Sequence, residues 1–239
     1  MGVAQAFAQA ADADFQGLGI AAEEPDPDRK PAWAGEAESG YSTVLTNHGL
    51  PGVEIVRRAE LLGAYLVVLG RKERVPDGPR PVDATTDAVI RRRNGLSLLV
   101  PPSVRTIRRA VIALDGSLRG SGVAAPAVAF LKLLKAQAHA VCVLPGVPFE
   151  VSDAGGWRDP RVEWLSEVIQ RLPSLTPAVD LRVSWGNPVT EILDAVQETD
   201  SDVLILGVRR GGQRGDSGSG YVGRELLRSA SCAVLTVPI

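Results

Sequence analysis

The amino-acid sequence predicts an α/β fold with two similar units, each a parallel sheet covered by helices on both faces. Two observations carry this prediction. Short, continuous apolar runs alternate with stretches of helical periodicity, which is the pattern of parallel strands joined by crossover helices. The pattern of one half of the chain also recurs in the other half. We place the first domain at residues 1–102 and the second at residues 108–239.

The first half begins with an alanine-rich stretch in which Val3, Phe7 and Ala10 have helical spacing. The run Tyr65–Gly70 is largely apolar, which is typical of a strand buried on both faces. We predict a helical stretch at residues 1–20 and an exposed loop at 21–40. Strands follow at 43–46, 65–70 and 96–100, with helices between them at 51–62 and 85–93.

The second half begins with an apolar run that stops at the polar turn Asp115-Gly116-Ser117. Later in this half, Asn187 suits the N-cap of a helix and Pro188 suits its first position. We predict strands at residues 109–115, 138–144, 179–183, 202–207 and 233–237, helices at 120–135, 161–172, from 188 and after 220, and a loop at 145–160.

An offset of 137 residues superposes the two halves without a gap. Strand and helix patterns coincide along the overlap, which indicates an internal duplication. Identical pairs include Gly49 with Gly186, Pro51 with Pro188, Glu54 with Glu191, Gly70 with Gly207, and Arg91 with Arg228.

The strand at 109–115 has no counterpart, because the same offset would place it before Met1. We therefore predict that the first domain lacks its first strand, and that residues 1–20 supply at most one helix and one short strand. Loss of a central strand exposes backbone groups that need partners. Either the first domain is degenerate and shielded by its neighbour, or the start of the sequence is truncated. We favour truncation.

Composition argues against several classes of partner. A net charge of -2 and an aromatic content of 5% disfavour a nucleic acid or an anionic membrane surface. Cys142 and Cys232 each lie in an apolar run, which is typical of buried thiols in a reducing compartment and not of metal ligands. The sequence has no apolar run of transmembrane length and no secretory signal, so we predict a soluble, cytoplasmic protein.

Residues 202–224 combine an apolar strand, a glycine-rich loop and a helix start. Glycine leaves backbone amides accessible and the first amides of a helix are unpaired, so such a loop can bind phosphate oxygens. The alternatives are an ordinary connecting loop, with Arg209, Arg210 and Arg214 as solvated charges. Asp115, at the end of a strand, either binds a ligand or only caps the following turn.

Four segments in this order resemble the universal stress protein family: Val111–Ser117, Gly186–Pro188 before a helix, Asp202–Gly207 before the glycine loop, and Ser231–Pro238. The resemblance covers residues 108–239, and more weakly 41–102. It implies two Rossmann-like domains packed as an intramolecular pseudo-dimer, in which the edge strands at 96–100 and 233–237 lie side by side. A larger homo-oligomer stays open.

Many members of that family bind ATP through the pattern Gly-x-x-Gly, nine residues, Gly-Ser/Thr. Gly207 and Gly220 match its first and third glycines. Arg210 stands at the second glycine, unless Gly211 takes that role. Tyr221, followed by Val222, stands at the hydroxyl position, where its distant phenol cannot replace the short-range hydrogen bond of Ser or Thr.

The resemblance further implies that Asp115, after the first strand, and Val143, at the end of the second, lie beside the nucleotide. In the first domain Asp83 falls opposite Gly220, and a carboxylate there would repel phosphate. The resemblance therefore implies ATP in the second domain only.

These observations predict a cytoplasmic stress-response protein that binds ATP and acts by binding or signalling. We predict no catalytic residue and no metal site, because no Walker lysine follows the loop and only Asp115 and Asp216 lie near it in the sequence. One alternative is an interaction module of the same fold that has lost nucleotide binding, which Arg210 and Tyr221 favour. The other is a weak ATP-hydrolysing enzyme.

Overall fold

The computed structural model describes residues 3–14, 16–20, 42–46, 49–71, 82–115, 120–144, 179–209 and 220–239. The loops predicted at 21–40 and 145–160 and the helix predicted at 161–172 lie outside these residues. The described elements are α1 (Val3–Ala10), β1 (Gln16–Ile20), β2 (Ser42–Thr46), α2 (Pro51–Leu61), β3 (Leu66–Gly70), α3 (Ala84–Arg92), β4 (Leu96–Val100), β5 (Arg109–Leu114), a 3₁₀ turn (Gly120–Val123), α4 (Ala124–Leu134), β6 (Gln137–Leu144), β7 (Asp180–Trp185), α5 (Pro188–Glu198), β8 (Val203–Val208), α6 (Gly220–Ser229) and β9 (Ala233–Pro238).

Seven strands form one sheet in the order β3-β4-β9-β8-β5-β6-β7. All neighbours in it are parallel except β4 and β9, which are antiparallel. The five strands from the second half are contiguous, with β5 in the middle. β1 and β2 pair in parallel in a separate two-stranded sheet. The predicted α/β class with a parallel sheet is confirmed.

Local sequence explains where the helices begin. The Asn187 side chain accepts hydrogen bonds from the backbone N–H groups of Val189 and Thr190 at 2.9 and 3.4 Å, so it caps α5 as predicted. Pro188 occupies the first turn, where its missing N–H is not needed. Asp83 caps α3 in the same way.

The sheet separates two apolar cores. One lies between the sheet and the helices α1 and α4, and contains Phe7, Phe130 and Leu131. The other lies on the opposite face under α3, α5 and α6. Strand residues alternate between them, so that neighbours such as Val111 and Ile112 are both almost fully buried. Burial on both faces accounts for the continuous apolar runs in the sequence.

The two halves are joined through β4 and β9. Leu98 is paired with Leu235 in the antiparallel register, and the Thr236 hydroxyl donates a hydrogen bond to the Ser97 carbonyl at 3.2 Å. Arg71, which follows β3, donates hydrogen bonds to carbonyls in the last turn of α6 and just beyond it, at Leu227 and Ala230. The closeness of strands 96–100 and 233–237 is confirmed.

One prediction is wrong at β3. The apolar run Tyr65–Gly70 suggests a strand buried on both faces, yet Leu66–Leu69 are only half-buried and Tyr65 is 51% exposed. The repeat-related residues Val203–Leu206 in β8 are fully buried. β8 lies between β9 and β5, whereas β3 pairs with β4 alone among the described strands. A strand at this second edge would bury β3 further, and the described part of the first half has none there.

We predict that Leu98→Ala lowers the free energy of unfolding by about 2–5 kcal/mol, because Leu98 has 0% exposure and its loss leaves a cavity where the two halves meet. Urea denaturation measures the change. Leu61→Ala, at a side chain that is 66% exposed, is the control and should change stability by less than about 0.5 kcal/mol. Equal effects of the two substitutions would contradict the shared core.

Candidate functional site

The strand order of the second half reverses between β5 and β8. From β5 the chain continues to β6 and β7 on one side, and it then returns to β8 on the other side. In open α/β sheets a crevice forms at the carboxyl ends of the strands at such a point. Asp115 directly follows β5 and Gly207 is the penultimate residue of β8. The fold therefore brings these two predicted residues to one edge of the sheet, on adjacent parallel strands.

Asp115 and Val143 have different environments. Asp115 is exposed at the carboxyl edge. Val143 lies in β6, next to β5, and its side chain is 7% exposed and belongs to the core under α5 and α6. A ligand in the crevice can therefore meet the side chain of Asp115 but only the backbone at Val143.

Gly207 is required by packing. A Cβ at this position would lie 2.8 Å from Val123 Cγ2 and 2.9 Å from Ile239 Cδ1, which is closer than real Cβ contacts allow. The 3₁₀ turn that follows β5 and the end of the chain thus both press against this residue. Packing therefore accounts for the glycine at the first position of the expected nucleotide-binding pattern, whether or not a nucleotide binds.

The two halves differ at the start of the helix that follows the glycine position. In the first half, Asp83 accepts hydrogen bonds from the Thr86 backbone N–H at 2.8 Å and from the Thr86 hydroxyl at 3.0 Å, so its carboxylate occupies the start of α3. The repeat-related residue in the second half is Gly220, with φ +61°, and no described residue lies within 4 Å of a Cβ placed there. Gly220 itself thus brings no acceptor side chain to the start of α6, and helix amides without such a cap can bind anions.

The remaining predicted site residues contribute less to the described geometry of the crevice. Tyr221 is 75% exposed, and Val222 packs against the core under α6. Arg210 and Gly211 lie outside the described residues. Among the residues that the structure describes, no group of three or more His, Cys, Asp or Glu side chains could hold a metal ion. In the same part of the chain, no helix is long and apolar enough to cross a bilayer.

The structure also brings together residues that sequence patterns alone do not single out. A cavity of about 300 Å³ lies between α3 and α6, and Arg91, Arg224 and Arg228 line it. The duplication is the sequence feature that could have predicted this cluster. Arg91 and Arg228 are one of its identical pairs, and they must face each other if the two halves meet symmetrically.

Comparison with known proteins decides the family. The sequence model described as the universal stress protein family matches residues 106–238, which is more than half of the chain. The chain belongs to the universal stress protein family. The match starts within two residues of the predicted second domain, while the boundaries of both domains stay predictions. No curated protein matches the chain in sequence.

Solved universal stress protein structures share the fold over nearly the whole chain. A protein of Pseudomonas aeruginosa UCBPP-PA14 assigned to this family is 17% identical, with a TM-score of 0.70 over 98% of this chain and 86% of its own. A functionally unknown protein of Pseudomonas aeruginosa PAO1 is 18% identical, with a TM-score of 0.66 over 98% and 85%. A universal stress protein of Archaeoglobus fulgidus DSM 4304 is 16% identical, with a TM-score of 0.54 over 84% and 67%. These identities show the fold alone, and the coverage includes both halves.

The two cysteines are buried and reduced, in agreement with the sequence. Cys232, at the start of the last strand, is 5% exposed. Burial raises the pKa of its thiol to about 11, because the apolar surroundings disfavour the thiolate. Such a thiol is a poor nucleophile at neutral pH, which supports a structural role.

We predict that Gly207→Ala destabilises the protein by about 1–3 kcal/mol, because Val123 and Ile239 must shift to admit the methyl group. The matched control is Gly70→Ala, at the repeat-related position, where nothing lies within 4 Å of the added Cβ. Thermal unfolding of the two variants measures the difference. If Gly70→Ala were as costly as Gly207→Ala, a backbone requirement shared by the repeat would explain Gly207 instead of packing.

The raised pKa of Cys232 predicts a loss of stability in alkaline solution. An unfolded thiol ionises near pH 9 and the folded one near pH 11, so the unfolded state binds fewer protons between these values. The free energy of unfolding should therefore fall from about pH 9 to pH 11, by up to about 2–3 kcal/mol from this group. Cys232→Ala removes that part of the slope, which urea titrations at several pH values measure. An unchanged slope would contradict the assignment.

Proposed function

We propose that this universal stress protein binds ATP in its second half, at the carboxyl edge between β5 and β8, and acts in the cytoplasm as a stress-response protein. The observation that carries the proposal is the contrast between Asp83 and Gly220. One carboxylate already occupies the helix start in the first half, whereas the same position in the second half is a glycine without an acceptor side chain, and none of the described residues lies within 4 Å of a Cβ placed there.

The proposed roles follow from the positions of the residues. Phosphate oxygens would accept hydrogen bonds from the first N–H groups of α6, at Gly220 and Tyr221, helped by the positive end of the helix dipole. Arg210 and Gly211, between β8 and α6 in the sequence, are proposed to contact the same phosphates. Asp115 would accept hydrogen bonds from the sugar, and the backbone at Val143 would border the adenosine.

We further propose that the protein acts by binding and not by catalysis. Phosphoryl transfer needs groups that position a nucleophile and neutralise the transferred phosphate, usually a lysine and metal-binding side chains. Among the described residues, Asp115 is the carboxylate that we place at this edge of the crevice. A single exposed carboxylate can hold a hydroxyl group, but by itself it does not bind and orient a metal–phosphate complex.

One competing function is supported by a specific observation. Tyr221 is 75% exposed at the start of α6, where the family pattern has a small hydroxyl residue. An exposed aromatic ring is the kind of side chain that anchors a protein contact. Titration with labelled ATP separates the possibilities: binding without phosphate release supports our proposal, release indicates a weak hydrolase, and no binding at millimolar ATP indicates an interaction module without nucleotide.

We predict that Gly220→Asp abolishes ATP binding, because it places a negative charge beside the proposed phosphate position, at the residue that corresponds to Asp83 in the first half. Gly220→Asn is the matched control. Asn also tolerates a positive φ, but it adds no charge and should weaken binding much less. Isothermal titration with ATP measures both. Equal ATP affinity in the Asp variant and the parent would refute the proposed phosphate position.

A further inference from the structure

The cavity between α3 and α6 lies at the junction of the two halves. α3 belongs to the first half and α6 to the second, and the joined strands β4 and β9 run beneath them on this face of the sheet. Its volume is about 300 Å³. Its walls are Val82, Asp87, Ile90, Arg91, Arg224, Leu227 and Arg228.

The duplication accounts for the arrangement. Arg91 and Arg228 are repeat-related, as are Ile90 and Leu227, so the cavity has one arginine and one apolar residue from each half at equivalent places. The third related pair is Asp87 and Arg224, which have opposite charges. The cavity is therefore almost symmetric in shape and asymmetric in charge, with three guanidinium groups against one carboxylate.

The charges inside the cavity are only partly neutralised. Arg91 is paired with Asp87, with a nitrogen–oxygen distance of 2.8 Å. In the described part of the chain, Arg228 has one ion-pair partner, Glu225, one turn earlier on α6, at 3.8 Å. The side chain of Arg224 makes no ion pair among the described residues. Around the cavity, positive charge is therefore in excess among these residues, even when Glu225 is counted.

A buried donor in the same wall has no partner among the residues that the structure describes. The Nε atom of Arg228 is inaccessible to solvent and has no hydrogen-bond acceptor there. A buried donor without an acceptor is unfavourable, and one that belongs to a charged group is more so. Arginine presents its N–H groups as a planar fork that matches the oxygens of a phosphate group. An anion in this cavity would offset the excess charge, and a movement of the Arg228 side chain would be needed for the anion to reach the buried Nε atom.

We propose that this cavity binds a phosphate group, as the free dianion or as a phosphomonoester. Arg224 and Arg228 hold it from α6, Arg91 from α3, and Ile90 and Leu227 close the apolar side. The site uses side chains of both halves, whereas the proposed ATP site uses residues of the second half alone. Because the anion contacts both helices, its binding stabilises the junction of the halves.

The first experiment uses inorganic phosphate and the full chain. Phosphate should raise the midpoint of thermal unfolding above that in chloride of equal ionic strength, and should broaden its own ³¹P NMR signal. Arg224→Gln should weaken phosphate binding roughly ten-fold or more, since it removes a charge-assisted hydrogen bond donor. Arg182→Gln is the control, because this exposed arginine pairs with Glu198 and lies far from the cavity in the sheet.

A second variant shifts binding in the opposite direction. Asp87→Asn removes the one carboxylate among the lining residues and frees Arg91, so phosphate affinity should rise several-fold. A residue with only a structural role would not produce this gain. Parallel titration with glycerol 3-phosphate shows whether a phosphomonoester is the preferred form, and binding of either form supports the site.

Three results would overturn the proposal: no effect of phosphate beyond that of chloride, an equal loss in Arg182→Gln and Arg224→Gln, or no gain in Asp87→Asn. The ATP proposal is tested separately through Gly220→Asp. A protein that responds to phosphate through Arg224 but does not bind ATP would support this site and refute the other. Loss of phosphate and ATP binding to the same degree in Arg224→Gln would mean a single site and would refute the separate cavity.

Discussion

The antiparallel pairing of β4 with β9 is the contact on which the rest of the structure depends. Each of these strands would be the edge of its own sheet, and an open edge exposes unpaired N–H and C=O groups. Their pairing through Leu98 and Leu235 joins the halves into one seven-stranded sheet. It also sets the helices in order: α1 packs against α4 on one face, and α3 and α6 border the cavity on the other.

The described part of the first half has no strand in the place of β5, and the comparison of the halves shows what β5 does in the second. Asp202, just before β8, accepts hydrogen bonds from the backbone N–H groups of Arg108 and Arg109 at 2.8 and 3.0 Å, and so anchors the start of β5. The repeat-related residue is Tyr65, whose ring stacks on Phe7 with centroids 6.2 Å apart. Phe7 in turn stacks on Phe130 of α4. An aromatic contact across the halves thus stands where the complete half has a strand anchor.

In the described part of the chain, this difference explains why the crevice of the kind that binds ligands occurs in the second half. A switch point needs a central strand from which the chain departs in both directions. β5 provides it in the second half. Among the described strands of the first half, β1–β2 and β3–β4 form separate pairs with no strand between them. The restriction of the nucleotide proposal to the second half therefore has a topological reason as well as an electrostatic one.

Sequence reasoning succeeded where the signal is local or repeated. The cap at Asn187 depends on two neighbouring amides, and the adjacency of β4 and β9 follows from the duplication and the family resemblance together. It failed where the cause is distant in the chain. The half-burial of β3 depends on its second edge, where the structure describes no strand, and the need for glycine at 207 depends on Val123 and Ile239. The excess charge around Arg224 becomes visible only when α3 and α6 are placed side by side.

The two repeat-related helices have diverged in charge in a consistent direction. α3 has a carboxylate at its cap and another in its first turn, Asp83 and Asp87, and both complement the positive end of the helix dipole. The corresponding residues of α6 are Gly220 and Arg224, and its first turn contains no acidic residue. α3 has therefore neutralised its own N-terminus, while the residues of α6 itself place no carboxylate at its start and add a cation one turn later. Coulomb interactions between charges several ångströms apart are strong at partly buried sites. This divergence alone therefore favours the binding of anions at α6 over α3.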